Sequence, residues 1–188
     1  HISSAITDDV IVICGERFHT GARVILWDDP DGFNGYRERR FFDESGVLPT
    51  RPAEGCDTPQ RYSVRDVLLD EEGLERRLSR TDRGRAIRDR VDQIVLHYDA
   101  AGTSRTCFKV LHDERGLSAH FLLDVDGVIY QTLDVRERAR HSGFANDRSV
   151  GVEIANVGAY GSLDALRTAH QKINARNGHG AARQSKFE

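Results

Sequence analysis

Val91-Asp92-Gln93-Ile94-Val95-Leu96-His97-Tyr98 (VDQIVLHY) is the stretch on which the reading of this chain turns. Ile94, Val95 and Leu96 form a short apolar run rich in β-branched residues, and Asp99-Ala100-Ala101-Gly102-Thr103 breaks the pattern behind it. A short apolar run closed by turn formers predicts a buried strand. This one ends in a histidine, and the end of a buried strand is where loops converge and ligands bind. His97 is therefore the first candidate functional residue.

Downstream of it the pattern stays sharp. Thr106 to Arg115, with Phe108, Val110 and Leu111, predicts a short helix. Leu117 to Val125 (LSAHFLLDV) and Val128 to Leu133 (VIYQTL) read as two strands, and Asp126-Gly127 between them is a hairpin signal. Arg140 to Gly143 (RHSG) reads as a loop. Ser149 to Val157 (SVGVEIANV) alternates enough to be a strand with one buried face, and Leu163 to Ile173 fits a helix. The tail from Asn177 to Glu188 reads NGHGAARQSKFE. Strands mixed with helices and one hairpin predict an α/β domain with a mixed central sheet flanked by helices.

Upstream, residues 1–90 read differently and carry no chemical motif. Val10 to Cys14 (VIVIC) and Arg23 to Trp27 (RVILW) predict two strands, joined hairpin-fashion through Gly15 to Gly21. Gly46 to Pro59 holds three of the four prolines and reads as an irregular linker. Ser63 to Arg90 has Val67, Leu68, Leu74, Leu78 and Ile87 at roughly helical spacing. Glu71, Glu72 and Glu75 precede Arg76, Arg77 and Arg80, which we read as a solvated helix face rather than an anion-binding patch. The expected organisation is an N-terminal extension over 1–90, packed on a domain over 91–188.

Bulk properties narrow the classes. The chain has 188 residues, 38% of them apolar and 30% charged, with a formal net charge of −3. No basic field suggests a nucleic-acid partner. No apolar run approaches the roughly 20 residues of a membrane span. The chain opens on His1 and contains no methionine, which reads as a processed or trimmed chain. Cys14, Cys56 and Cys107 lack the paired spacing of a zinc knuckle, and one disulfide, Cys14 to Cys56 for example, stays open.

Four pieces now stand in order: IVLHYDA, SAHFLLDVDGVIYQ, RHSG followed by SVGVEIAN, and GH with KFE behind it. Together they resemble the zinc-dependent N-acetylmuramoyl-L-alanine amidases of the type-2 amidase and peptidoglycan-recognition-protein superfamily. The resemblance covers about residues 91–188. It implies a hydrolase that cuts the amide between N-acetylmuramic acid and L-alanine, with peptidoglycan or muropeptides as partner and a periplasmic or secreted location, the cytoplasm staying open beside it. It also implies one Zn²⁺ per chain, held by His97, by His179 of Gly178-His179, and by Glu188 of the Lys186-Phe187-Glu188 tail. The third ligand departs from the family, which uses aspartate or cysteine there.

The same resemblance assigns the remaining parts. Glu153 in GVEIAN matches the family's base, and Lys186 its oxyanion-stabilising cation. A second branch of the family places a tyrosine before the S-x-H histidine, and here that position is Ala119. His141 matches a position lining the substrate groove, and Asn156 follows the catalytic strand and faces the same groove. His120 reads either as a core histidine bonded to backbone or as support for the metal ligands. His170 is the fallback second ligand, and His1, His19 and His112 read as surface. Chemistry makes the set coherent: a catalytic zinc keeps three protein ligands and one open position. A glutamate between Val152 and Ile154 on an apolar strand is costly to bury unless it has a function or a partner. The competing reading is a peptidoglycan-binding module that has lost the metal. A zinc amidohydrolase acting on a different amide stays open beside both.

Overall fold

A computed structural model describes residues 8–37 and 61–176. Its centre is a five-stranded mixed sheet, built from β3 (Val24–Leu26), β5 (Gln93–Tyr98), β6 (Phe121–Leu123), β7 (Ile129–Gln131) and β9 (Ser149–Ile154). The order across it is β3-β7-β6-β9-β5, with β6–β7 antiparallel and the other three pairs parallel. Two further pairs flank it: β1 (Val10–Ile13) with β2 (Glu16–His19), and β4 (Tyr62–Val64) with β8 (Glu137–Ala139). The helices are α1 (Arg80–Arg90), α2 (Ser104–Phe108) and α3 (Leu163–Arg176). This is the mixed, helix-flanked α/β architecture expected from the sequence.

Local chemistry explains the main elements. The β6–β7 hairpin turns through Asp126-Gly127, where Gly127 has φ +84°. Thr103 caps α2 by accepting from the Thr106 amide, and α2 runs on as a π-helical segment over Lys109–Arg115. That segment stops at Gly116, whose φ of 69° supplies the left-handed cap. Phe108 and Cys107 of α2 pack with Phe33, Ala119 and Leu122 into the main core cluster. Burying a side chain such as Leu122 contributes about 2 kcal/mol.

Several expectations need correction. The run VIVIC pairs with Glu16–His19, not with RVILW. β2 was invisible to pattern because ERFH is exposed at every residue. Residues 70–78 are not helical; Ser79 caps α1 through the Asp82 amide, and the helix occupies only Arg80–Arg90. β5 is not a buried strand but an edge strand. Its outward residues Ile94, Leu96 and Tyr98 are 71%, 64% and 62% exposed. His112 is buried, stacked on Phe108 and bonded to the Arg37 carbonyl. Cys14 carries a free thiol, and Cys56 lies outside the described residues.

Residues before 91 are tied in by side chains that imitate backbone. β3 is an edge strand of the central sheet itself. The β1–β2 turn has positive φ at Cys14 (54°) and Gly15 (78°), and the two carboxylate oxygens of Asp134 accept from both amides at 2.7 Å. Gln131 accepts from the Val12 amide and donates to the Val12 and Leu133 carbonyls. The strongest tie is Arg65, which is fully buried. Its guanidinium donates to the carbonyls of Val135, Asn146, Asp147 and Ser149 at 2.7–3.2 Å.

An unmet buried carbonyl costs about 1–3 kcal/mol. Arg65→Leu should therefore lower the unfolding free energy by at least about 3 kcal/mol in urea titrations. Arg65→Lys should recover only a minor part, because an ammonium cannot fork to four carbonyls. A loss below about 1 kcal/mol for the leucine variant would show that Arg65 does not hold these segments together.

Candidate active site

β5 and β9 run parallel in register, with His97 opposite Glu153. Cross-strand partners share a face of the sheet, so the two side chains stand together at the carboxyl ends of adjacent parallel strands. Asp99 ties those ends: its Oδ1 accepts from the Ala101 amide (2.9 Å) and from the Asn156 amide (3.2 Å). Gly151, two residues before Glu153, lies under the ring of His141. A β-carbon there would stand 2.6 Å from His141 Cγ, so only glycine lets the imidazole lie on the strand.

The hydrogen-bond partners fix where the protons are. Ser149 Oγ donates to the Ala145 carbonyl at 2.7 Å, so toward His141 Nε2 at 3.3 Å it can only accept. His141 therefore carries its proton on Nε2 and a lone pair on Nδ1. That lone pair meets His97 Nε2 at 3.0 Å, which must be the donor. His97 is left with its own lone pair on Nδ1, which has no partner among the described residues. Asn146 Oδ1 accepts from the His141 and Ser142 amides at 3.0 and 2.6 Å and sets the loop that carries the ring.

His120 resolves in favour of the core reading. The Gly151 amide donates to its Nδ1 at 3.1 Å, and its Nε2 donates to the Glu137 carbonyl at 2.9 Å. Arg65 Nη2 lies 3.3 Å from that nitrogen, an approach of two donors, and Arg65 keeps its own bonds to carbonyls. A proton on Nδ1 would oppose the Gly151 amide. Burial and the nearby Arg65 charge accordingly press the His120 pKa down to about 3.

Electrostatics keep the site charge-poor. Burial lowers the pKa of His97. Burial and the neighbouring His97 take His141 down to about 4. Glu153 is 7% exposed, and burial, helped by the Asp99 charge, raises it to about 7. Burial and the charges of Glu153 and Asp99 also push the Cys107 thiol up, so it stays protonated. Neutral imidazoles are the form that binds metal. A carboxyl near 7 can both take and give a proton at neutral pH.

Of the residues expected from sequence, the structure brings His97, Glu153 and His141 together. His179, Lys186 and Glu188 lie outside the described residues. Among the described residues, no three histidine, cysteine, aspartate or glutamate side chains converge to hold a metal. Asn156 closes a turn instead: its side chain donates to the Ile154 carbonyl and accepts from the Gly158 amide. His170 is exposed on α3. Pattern reading missed Ser149, Gly151 and Asn146, which orient His141. The glycine inside a strand sequence was the one available signal, since such a residue marks close approach.

The family model described as N-acetylmuramoyl-L-alanine amidase matches residues 87–182, half of the chain, which belongs to this family. Among solved structures the chain is similar to the complex of the N-acetylmuramyl-L-alanine amidase AmiD from E. coli with anhydro-N-acetylmuramic acid-L-Ala-D-gamma-Glu-L-Lys. Identity is 24%, over 57% of this chain and 51% of that chain, with a TM-score of 0.34. It is also similar to a selenomethionine derivative of AmpD, at 18% identity over 74% of this chain and 79% of that one, with a TM-score of 0.31. The chain thus spans about half the length of the AmiD chain. No curated protein sequence matches it.

Two outcomes follow from this geometry. Gly151→Ala should unseat His141 and break its bond to His97, seen as a changed imidazole nitrogen shift for His97 by NMR. An unchanged shift would mean that the ring does not rest on this glycine. In chelator-treated protein, Glu153 binds its proton more tightly folded than unfolded. Its contribution to stability is therefore complete below the ordinary value of 4.5 and is lost as pH rises through about 7. Urea titrations should show this decline in wild type and a flatter profile for Glu153→Gln; equal slopes would refute it.

Proposed function

We propose that the chain is a zinc-dependent amidase that hydrolyses the bond between N-acetylmuramic acid and L-alanine in peptidoglycan or muropeptides. The observation that carries this reading is the His97–Glu153 pair across two parallel strands, within the span that matches the family model. Amide hydrolysis needs an activated water, a polarised carbonyl and a proton for the leaving nitrogen. His97, neutral and with Nδ1 free, suits zinc, and we assign His179 and Glu188 as its companions. Bound zinc lowers the pKa of a water toward neutrality and polarises the carbonyl.

Glu153 takes the proton from the attacking water and returns it to the departing amine of L-alanine. A value of about 7 serves both directions near neutral pH. His141, held by Ser149 and Asn146, contacts the substrate beside the reacting carbonyl. Lys186 supplies positive charge where the carbonyl oxygen becomes negative. An intact cell-wall substrate would place the chain in the periplasm or outside the cell, and a soluble muropeptide substrate is equally compatible with the cytoplasm.

Purified protein should contain about one zinc per chain and release L-alanyl peptides from muropeptides, with release abolished by chelation and restored by zinc. Glu153→Gln should keep the metal and lose at least about a hundredfold in turnover. His97→Ala should lose both. Full activity of the glutamine variant would remove Glu153 from the mechanism. Undiminished zinc in the alanine variant would remove His97 from the ligand set.

A further inference from the structure

Beside His141 lies a groove of about 530 Å³. β8 alternates: Glu137 and Ala139 are buried, while Arg138 and the following Arg140 stand half-exposed on the opposite side and both line the groove. Ser63 of β4 and Ser142 add hydroxyls. No carboxylate is among its lining residues. Arg138 donates to Asp66 at 2.9 Å on the rim, a part-exposed pair that solvent screens and weakens. Arg140 has no acidic partner among the described residues. Two guanidinium groups thus face one groove, with a single carboxylate at its edge.

We infer that this groove is a carboxylate subsite that recognises a free acidic group on the peptide half of the substrate, with Arg140 as its principal determinant and Arg138 as its second cation. The inference rests on the amidase reading above. His141 joins the two regions: its Nδ1 touches His97, and its ring forms one wall of the groove. A ligand filling the groove is therefore continuous with one reacting at His97 and Glu153. The amidase reading makes the departing half a short peptide beginning at L-alanine, and its side and terminal carboxylates are the anions within that reach. The groove offers two guanidinium groups, while the chain as a whole carries −3, so a small anion fits better than a polyanion. A guanidinium fork matches a carboxylate with two parallel hydrogen bonds.

The test compares muramoyl-L-alanyl-γ-D-glutamyl-lysine with its analogue in which the glutamate α-carboxyl is an amide. A hydrogen bond to a charged group is worth about 1.5–3 kcal/mol, so wild type should favour the acid by roughly tenfold to a hundredfold in kcat/KM, mainly through KM. Arg140→Gln should bring the acid-to-amide ratio near one. Asp66→Asn, which releases Arg138, should raise the ratio.

Calorimetric titration of the released acid and amide tripeptides onto wild type and Arg140→Gln separates this inference from the amidase reading. Acid-selective binding that depends on Arg140, without cleavage of either substrate, would refute the amidase and keep the subsite. Cleavage with an acid-to-amide ratio near one in wild type, or a ratio unchanged by Arg140→Gln, would overturn the subsite and keep the amidase. Absence of both cleavage and selective binding would overturn both.

Discussion

Everything at the site depends on the parallel, in-register pairing of β5 with β9. That pairing sets His97 level with Glu153, two residues beyond Gly151, where the His141 ring itself leaves no room for a β-carbon. Parallel strands put their carboxyl ends on the same side, so the loops after Tyr98 and Ile154 converge there and Asp99 can bridge them. A shift of one residue in either strand would turn one member of the His97–Glu153 pair to the other face. The register is therefore a chemical specification as well as a structural one.

The second constraint is that buried polar groups must find partners. Arg65 on one side, and Gln131 and Asp134 three residues apart on the other, each satisfy backbone groups of a distant segment. Gln131 and Asp134 tie the turn over 12–15 to the end of β7, and Arg65 ties the segment before residue 91 to the loop over 143–149, which in turn aims His141. The link from Arg65 to the site runs through specific bonds: carbonyls of Asn146 and Ser149, then the side chains of the same two residues onto the His141 backbone and ring. Through Arg65 the described part of the N-terminal segment thereby acts on the site's geometry.

Much of the domain after residue 90 was legible from sequence because its strands alternate, its hairpin carries Asp-Gly and its helix caps are local. β5 was found, and its exposure was not, because an apolar run reads alike in a central and an edge strand. β2 and β8 escaped because ERFH and ERA owe their pairing to neighbours rather than to pattern. His97, Glu153 and His141 were identified by resemblance, since spacing alone cannot show that residues 44 and 56 positions from His97 meet it in space. Ser149 and Asn146 were silent, because a serine or asparagine becomes part of a site only through its partners. His112 misled for the same reason, its burial being imposed by Phe108 and the Arg37 carbonyl.

The electrostatic design explains why these parts are separated as they are. Around His97 the groups resist charge: imidazoles held neutral, a carboxyl that titrates near 7, a thiol kept protonated. A cation brought there would meet the open lone pair on His97 Nδ1 rather than a competing proton. Two fixed positive charges, Arg138 and Arg140, line the groove that His141 also lines, and the charge of Arg115 lowers the Glu153 pKa by less than burial raises it. Were a guanidinium beside Glu153 instead, it would hold the carboxylate ionised and depress its pKa, removing its capacity to return a proton. On the proposed reading, arginines in the groove would attract an anionic substrate without touching the carboxyl that exchanges protons. The proposed proton transfer and the proposed charge recognition then meet at one ring, His141, which can rest on the strand only because Gly151 has no side chain.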